Sequence, residues 1–318
     1  MTTTTPAAVR TLRPTRAALP VVAAGITMVL WASAFTGIRS AGAHYPPGAM
    51  ALGRLTVGAL ALSAAVAHRR LGRRGGDRVR LPRGRPLAFV VGYGVLWFGV
   101  YAVAINAAEQ HLDAGTTALL VNLAPLLVAV LAGLLLHEGF PRALAAGLVV
   151  AFAGVAVIAA ATSTGRSDRV GVLLALAAAA LYAASVLLQK QALRDVDPLT
   201  ATWLGCLVGA ATVLPFAPQL LTTVTTAPVA ATLAVGYLGL FPTALAFWLW
   251  AYALARTSAG RLSASSYLVP ALAVLLSFLL LGEVPAPAAL LGGVLCLAGV
   301  LVTRLPRRGR GTGGRRAA

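Results

Sequence analysis

The chain has 318 residues, of which 59% are hydrophobic and only 11% are charged, and its formal net charge is +18. A soluble domain carries roughly a quarter of charged residues on its surface, so this composition excludes a soluble enzyme and indicates a surface that faces lipid. The positive charge does not indicate a nucleic-acid partner, because the arginines lie in short runs between apolar stretches and not beside aromatic or polar readers.

A helix needs about 20 mostly apolar residues to cross the hydrocarbon core of a bilayer. In chain order the predicted spans are 19–38, 46–67, 87–108, 114–136, 141–161, 169–189, 199–217, 229–255, 259–281 and 285–303. Proline, glycine or charge marks the short breaks, and one long connection runs from His68 to Pro86. The sequence therefore predicts an all-α integral membrane protein with ten transmembrane helices.

The distribution of lysine and arginine orients these spans, because cytoplasmic loops are enriched in both. With the N-terminus in the cytoplasm, the inside segments carry 22 of the 26 Lys and Arg residues and the outside loops carry 3. The remaining one, Arg54, lies within a span. One missed helix would abolish this bias, so we expect both termini to be cytoplasmic.

An internal repeat relates the two halves. Each half has a leucine-rich segment that ends in glutamate, with glycine nine and then seven residues further on: Glu138, Gly147 and Gly154, and Glu283, Gly292 and Gly299. At the same offset Pro125 falls on Pro270. We expect a tail (1–18), a first repeat (19–162), a linker (163–168), a second repeat (169–304) and a basic tail (305–318). Five spans per half give the halves opposite orientations, as in many transporters.

Nearly the whole chain resembles EamA-type members of the drug/metabolite transporter superfamily. The resemblance rests on the repeated segments, on the Trp31-Ala32-Ser33 opening and on Arg54 after Pro46-Pro47. The resemblance implies a ten-helix bundle of two inverted EamA repeats in the bacterial cytoplasmic membrane. It also implies export of amino acids, metabolites or drugs. The halves differ at one point, since Gly205 stands where the first half has Arg54.

Charged residues within or near the spans each have two interpretations. Arg54 either attracts an anion or gates a central cavity, or it extends to the membrane surface. Glu138 and Glu283 either bind a coupling proton or stabilise short turns before the next helices. The prolines that follow them, Pro141 and Pro285, favour the structural interpretation for both carboxylates.

Uncharged polar groups in a bilayer either join helices or line a solute cavity. Asn122 and Tyr267 rank first as cavity candidates, because they occupy equivalent positions three residues before Pro125 and Pro270. The further candidates for the substrate cavity are Trp31, Arg54, Asn106, Gln189, Ser263, Ser266 and Trp248.

Pro125, Pro242 and Pro270 are hinge candidates, because proline removes a backbone hydrogen bond from a helix. Two aromatic clusters lie in spans three and eight, and they serve either as interface anchors or as a stacking wall for a solute. Their members are Trp97, Phe98 and Tyr101, and Phe247, Trp248, Trp250 and Tyr252.

These features predict a secondary transporter that exports a small organic solute by alternating access, driven either by the solute gradient or by exchange with protons as the coupling ion. No nucleotide-binding loop occurs, and the two cysteines are read as packing residues, so no cofactor or metal is expected. The alternatives are an intramembrane lipid-modifying enzyme, which requires clustered ionisable groups, and a membrane protein that transports nothing.

Overall fold

The computed structural model describes residues 15–72, 81–135, 166–257 and 268–302, with scattered positions between 146 and 157 and between 259 and 266. All regular structure in these ranges is helical, and they contain no β-strand. Helices suit an apolar chain in lipid, because each helix satisfies its backbone hydrogen bonds internally.

The first half contains α1 (Thr15–Gly42), α2 (Pro47–Gly72), α3 (Arg85–Tyr93), α4 (Ala102–Ala108), α5 (Ala114–Val121) and α6 (Ala124–Leu135). The second half contains α7 (Arg166–Ala192), α8 (Pro198–Thr212), α9 (Ala217–Thr226), α10 (Val229–Leu238), α11 (Ala246–Arg256), α12 (Leu268–Leu281) and α13 (Pro287–Val302). Two π-helical segments, Gly94–Tyr101 and Gly239–Leu245, join α3 to α4 and α10 to α11.

Among the described residues, five continuous helices are long and apolar enough to cross a bilayer: Ala18–Gly42, Pro47–Leu71, Arg85–Ala108, Arg169–Ala192 and Val229–Arg256. At 1.5 Å per residue the shortest of them is about 36 Å long, which exceeds the roughly 30 Å of hydrocarbon. They confirm a multi-pass membrane protein and match the first, second, third, sixth and eighth predicted spans. The total of ten stays a prediction, since most of the fifth span (141–161) lies outside the described residues.

The sequence predicts the seventh span as one helix over 199–217, but the structure shows two helices with a bend between them. The helix α8 ends at Thr212, and the chain continues through a 3-10 turn, Leu214–Phe216, into α9 with a bend of 55°. Pro215 and Pro218 explain the bend, because neither residue has an N–H group to continue the helical hydrogen bonds.

The fourth span contains a break near its proline, and in the ninth span a helix begins near its proline. A turn at Asn122 and Leu123 separates α5 from α6, and Pro125 lies in the first turn of α6. Pro270 likewise lies in the first turn of α12. The first turn tolerates proline because its N–H groups have no partner in the helix, so these two residues begin helices and do not kink them.

The two π-helical segments follow the internal repeat. They begin at Gly94 and Gly239, which are 145 positions apart, the same offset that relates Glu138 to Glu283. Pro242 lies inside the second segment, where it does interrupt a helix. The first segment has no proline, so proline alone does not create this feature. Such π-bulges often occur at functional sites.

The halves pack against each other and not as separate bodies. The helix α1 contacts α10, α11 and α12, α2 contacts α8 and the second π-helical segment, and α7 contacts α3 to α6. One close approach needs Gly239, since a Cβ there would lie 2.5 Å from the main-chain oxygen of Arg54. This packing encloses a space between the halves.

Candidate functional site

A cavity lies at the interface of the two halves and holds about 550 Å³ of empty space, part of it open to solvent. We call it the central cavity. Its lining residues are Trp31, Ala34, Phe35, Ile38, Arg54, Trp97, Tyr101, Ile105, Val121, Asn122, Tyr182, Phe247, Ser266 and Val269. Most of them are apolar or aromatic, with a few polar groups, which is the usual composition of a site for a small molecule.

An aromatic cluster of Trp31, Trp97, Tyr182, Phe247 and Trp250 forms and supports one wall of the central cavity. Neighbouring rings lie 4.9–6.3 Å apart between centroids, in tilted and edge-to-face arrangements. These are the geometries that aromatic quadrupoles favour. The rings come from both halves, so the cluster connects the halves and also presents aromatic faces to a solute.

Arg54 brings a positive charge to the central cavity. Its side chain is 7% exposed, and Nε donates a hydrogen bond to Oγ1 of Thr243 at 3.1 Å. Within the part of the chain that the structure describes, no carboxylate lies at ion-pair distance from Arg54; the two ion pairs there involve Arg39 and Arg69. The side chain is therefore buried in the lining of the cavity.

Asn122 and Trp31 add uncharged polar groups to the central cavity. The amide nitrogen of Asn122 donates to the carbonyl of Ala118 at 3.0 Å. Its amide oxygen and the indole N–H of Trp31 are buried and have no hydrogen-bond partner among the described residues. Buried polar atoms are normally bonded, so a solute in the cavity would satisfy one acceptor and one donor. Ser266 contributes a further hydroxyl to the lining.

Three other candidates, Asn106, Gln189 and Trp248, do not line the central cavity. Asn106 joins two helices, since its amide nitrogen donates to the carbonyl of Pro47 at 3.1 Å. Gln189 accepts from the indole N–H of Trp250 at 3.1 Å. Trp248 is 37% exposed on another face of its helix, because neighbouring residues of a helix point in different directions. Ser263, Tyr267 and Glu138 lie outside the described residues.

Two residues at functional positions escape sequence reasoning. Tyr182 lines the cavity beside Trp31. The sequence signal for it is the repeat, in which Tyr182 is the counterpart of Trp31. Glu109 follows the third span and looks like a loop residue, yet it is 2% exposed. No pattern in the sequence indicates that burial.

Two ion pairs join the halves at opposite ends of α2. Nε of Arg39 lies 2.7 Å from Oε1 of Glu283, and Nη1 of Arg69 lies 2.7 Å from Oδ1 of Asp197. Arg39 also bonds the main-chain oxygen of Glu109, and Asn106, which lies one helical turn before Glu109, bonds Pro47 at the start of α2. The Arg39 ion pair therefore lies near the start of α2, about 33 Å along the helix from Arg69. Glu283 thus bonds across the halves, whereas we expected it to stabilise the turn into the next helix.

The basic residue near the end of the first helix of each half bonds a main-chain oxygen at an equivalent position of the repeat. Nη1 of Arg39 donates to the main-chain oxygen of Glu109 at 2.8 Å, and Nζ of Lys190 donates to that of Leu254 at 2.6 Å. Leu254 is 145 positions after Glu109, so the contact repeats with the sequence. Both cations neutralise the partial negative charge at a helix C-terminus.

Asp197 combines its ion pair with a helix cap. It accepts a hydrogen bond from the main-chain N–H of Thr200 at 3.2 Å, which caps the N-terminus of α8. Partial burial acts to raise the pKa of Asp197, but the hydrogen bonds from Arg69 and Thr200 outweigh it, and the pKa lies below its usual range.

The fold defines a multi-pass membrane protein, helical throughout the residues described, whose two halves meet around a cavity lined mostly by apolar and aromatic side chains. A sequence profile of the EamA-like transporter family matches the chain twice, over residues 18–160 and 169–305. The chain belongs to this family, as the resemblance predicts, and it is a transporter of small solutes.

Relatives agree with this assignment, and a solved structure shares the fold. A probable terminal-alkyne amino-acid exporter of Streptantibioticus cattleyicolor is 39% identical, over 90% of this chain and 93% of its own length. An uncharacterized transporter of Bacillus subtilis, YdfC, is 32% identical over 87% and 88%. A probable amino-acid metabolite efflux pump of Salmonella typhimurium is 26% identical over 68% and 76%. A solved crystal structure shares the fold, with a TM-score of 0.62 at 24% identity, over 91% of this chain and 98% of that chain.

Proposed function

We propose that this protein exports an amino acid with an apolar side chain across the bacterial cytoplasmic membrane. The observation that carries the proposal is Arg54, a buried cation without a carboxylate partner among the described residues, in a cavity walled by aromatic rings. Burying an unpaired charge is costly, and the carboxylate of a solute would supply the missing partner. The names of the Streptantibioticus and Salmonella relatives support the same solute class.

Each part of an amino acid has a complementary group in the central cavity. Its carboxylate would accept two hydrogen bonds from the guanidinium of Arg54, the strongest geometry for this pair. Its ammonium would donate to the unpaired amide oxygen of Asn122 and lie against an aromatic face. Its apolar side chain would pack against Trp31, Trp97 and Phe247.

Export would proceed by alternating access between two inverted five-helix repeats. The Arg39–Glu283 and Arg69–Asp197 ion pairs support this mechanism, because each joins the halves at one end of α2. Rocking of the halves would separate one pair while the other stays bonded. The positive-inside distribution supports a topology with Arg69 in the cytoplasm and Arg39 outside. This topology has ten spans, repeats at 19–162 and 169–304, and both termini in the cytoplasm.

Counterflow in proteoliposomes tests the proposal. Purified protein is reconstituted with unlabelled leucine or phenylalanine inside, and entry of the labelled amino acid is followed. We expect labelled amino acid to accumulate transiently. The matching amines, which lack the carboxylate, should compete weakly, and so should the matching acids, which lack the ammonium.

The panel separates this solute class from others. Equal competition by the amine would contradict a role for Arg54 as the carboxylate site. Absence of counterflow for every apolar amino acid would contradict amino-acid export by this protein.

A further inference from the structure

Glu109 is a buried carboxylate that the proposed solute site does not use. It follows the last residue of α4, it is 2% exposed, and neither carboxylate oxygen has a hydrogen-bond partner among the described residues. It also lines a second cavity, with Arg39, Gln110 and Glu283, that holds about 930 Å³ of empty space including open solvent. Glu109 therefore lies beside a cavity that opens to solvent, which gives protons a path to its carboxylate.

Charged and titratable groups face Glu109 from several elements: Arg39 on α1, Arg54 on α2, Tyr101 before α4, Asp113 before α5 and Glu283 after α12. Arg39 forms its ion pair with the Glu283 carboxylate, and it donates to the main-chain oxygen of Glu109 rather than to its carboxylate. The Glu109 carboxylate is still near enough to Arg39 for the two charges to attract each other. Burial raises the pKa of Glu109 well above its usual range, and Arg39 lowers it only in part.

We propose that Glu109 binds the proton that drives export, and that its charge controls the Arg39–Glu283 ion pair. This inference rests on the proposed export function. With Glu109 protonated, Arg39 pairs with Glu283 alone, which closes the outer end. With Glu109 ionised, the two carboxylates repel each other and compete for Arg39, which weakens that closure.

The cycle that follows exchanges one proton for one solute. A proton from outside binds the Glu109 carboxylate, forms its O–H bond and favours closure of the outer end. In the inward-open state the O–H bond breaks, and the proton leaves through the central cavity, which Arg54 and Tyr101 line. The ionised carboxylate then favours outward opening with the solute bound, so no other reactant is needed.

A proton fits this place better than a metal cation. The guanidinium of Arg39 lies beside Glu109 and repels a second cation. No group of three or more His, Cys, Asp or Glu side chains in the described part of the chain is arranged to hold a metal ion. The second half has Leu254 at the equivalent position, so the acid is present at one end only.

The test uses proteoliposomes with labelled leucine or phenylalanine, once under counterflow at equal pH and once with an acidic lumen. One proton exchanged per solute allows about tenfold accumulation per pH unit. We expect the wild type to show both activities. Glu109→Gln cannot ionise and so favours the closed outer end. It should lose the pH-driven accumulation and retain counterflow at a lower rate. The control Asp195→Asn, which alters an exposed acid, should keep both.

Each outcome decides a separate question. Wild-type counterflow without pH-driven accumulation, accumulation driven by sodium instead, or pH-driven accumulation by Glu109→Gln would overturn the role of Glu109 and leave amino-acid transport intact. A wild type without counterflow would remove both proposals.

A second variant covers a failure of Glu109→Gln to fold. Glu109→Asp keeps a carboxylate but moves it, so accumulation should remain with a shifted dependence on pH. An unchanged dependence would overturn the proposal.

Discussion

Replacement of Arg54 by glutamine removes the positive charge from the central cavity while keeping a polar side chain of similar length. The guanidinium is 7% exposed and has one described hydrogen bond, to the neutral hydroxyl of Thr243. A hydrogen bond to a charged group contributes about 1.5–3 kcal/mol, and each 1.4 kcal/mol changes affinity about tenfold. We therefore expect the half-saturating concentration of the amino acid to rise about tenfold to a hundredfold in Arg54→Gln.

Arg54→Gln should weaken solute binding without lowering the stability of the fold. A buried cation without a counter-charge disfavours the folded state, so Arg54→Gln should keep or raise the temperature of unfolding in detergent. A loss of transport together with a retained unfolding temperature assigns the effect to solute binding. The half-saturating concentration of Arg54→Lys should fall between those of the wild type and Arg54→Gln. An ammonium keeps the charge but lacks the two-pronged geometry of a guanidinium.

The assay is counterflow at equal pH over a range of solute concentrations. Arg256→Gln is the matched control, because Arg256 is exposed, stacks over the Tyr252 ring at 3.6 Å and lies outside the cavity lining. Wild-type half-saturation in Arg54→Gln would refute the anion-binding role of Arg54. An equal loss in Arg256→Gln would indicate a general effect of surface charge.

Thermal unfolding in detergent tests three further expectations. Gly239→Ala should destabilise the protein by about 1–3 kcal/mol, because its Cβ meets the Arg54 carbonyl. The control Gly236→Ala, whose Cβ has nothing within 4 Å, should be neutral or slightly stabilising. Equal effects of the two substitutions would contradict the close packing at Gly239. Gln189→Leu should cost about 1–3 kcal/mol by leaving the buried N–H of Trp250 unpaired, and no loss would show that this bond is dispensable. Because the folded pKa of Asp197 is lowered, its ion pair stabilises the protein above the unfolded pKa and is lost as pH falls through the folded value. Wild type should therefore lose more stability on acidification than Asp197→Asn, and parallel curves would contradict this.

The repeat in the sequence predicted more of the site than single residues did. The offset of 145 relates the two π-helical segments and the contacts of Arg39 and Lys190, although nothing in the sequence pattern indicated either feature. Trp31, Arg54, Asn122 and Ser266 line the central cavity as candidates chosen from the sequence. Trp248 and Gln189 do not, because a helix turns 100° per residue and a sequence cannot show which face meets the partner half.

Composition and periodic apolar stretches determined by themselves that this chain is a helical membrane protein. Lipid requires long apolar helices, and that demand is visible in any window of about 20 residues. The tertiary structure alone decided which polar groups are buried together. Glu109 follows a span like any loop residue, and only the packing of α1, α4 and the chain after α12 encloses it beside Arg39 and Glu283. Burial and charge proximity depend on contacts between distant segments, which no local pattern records.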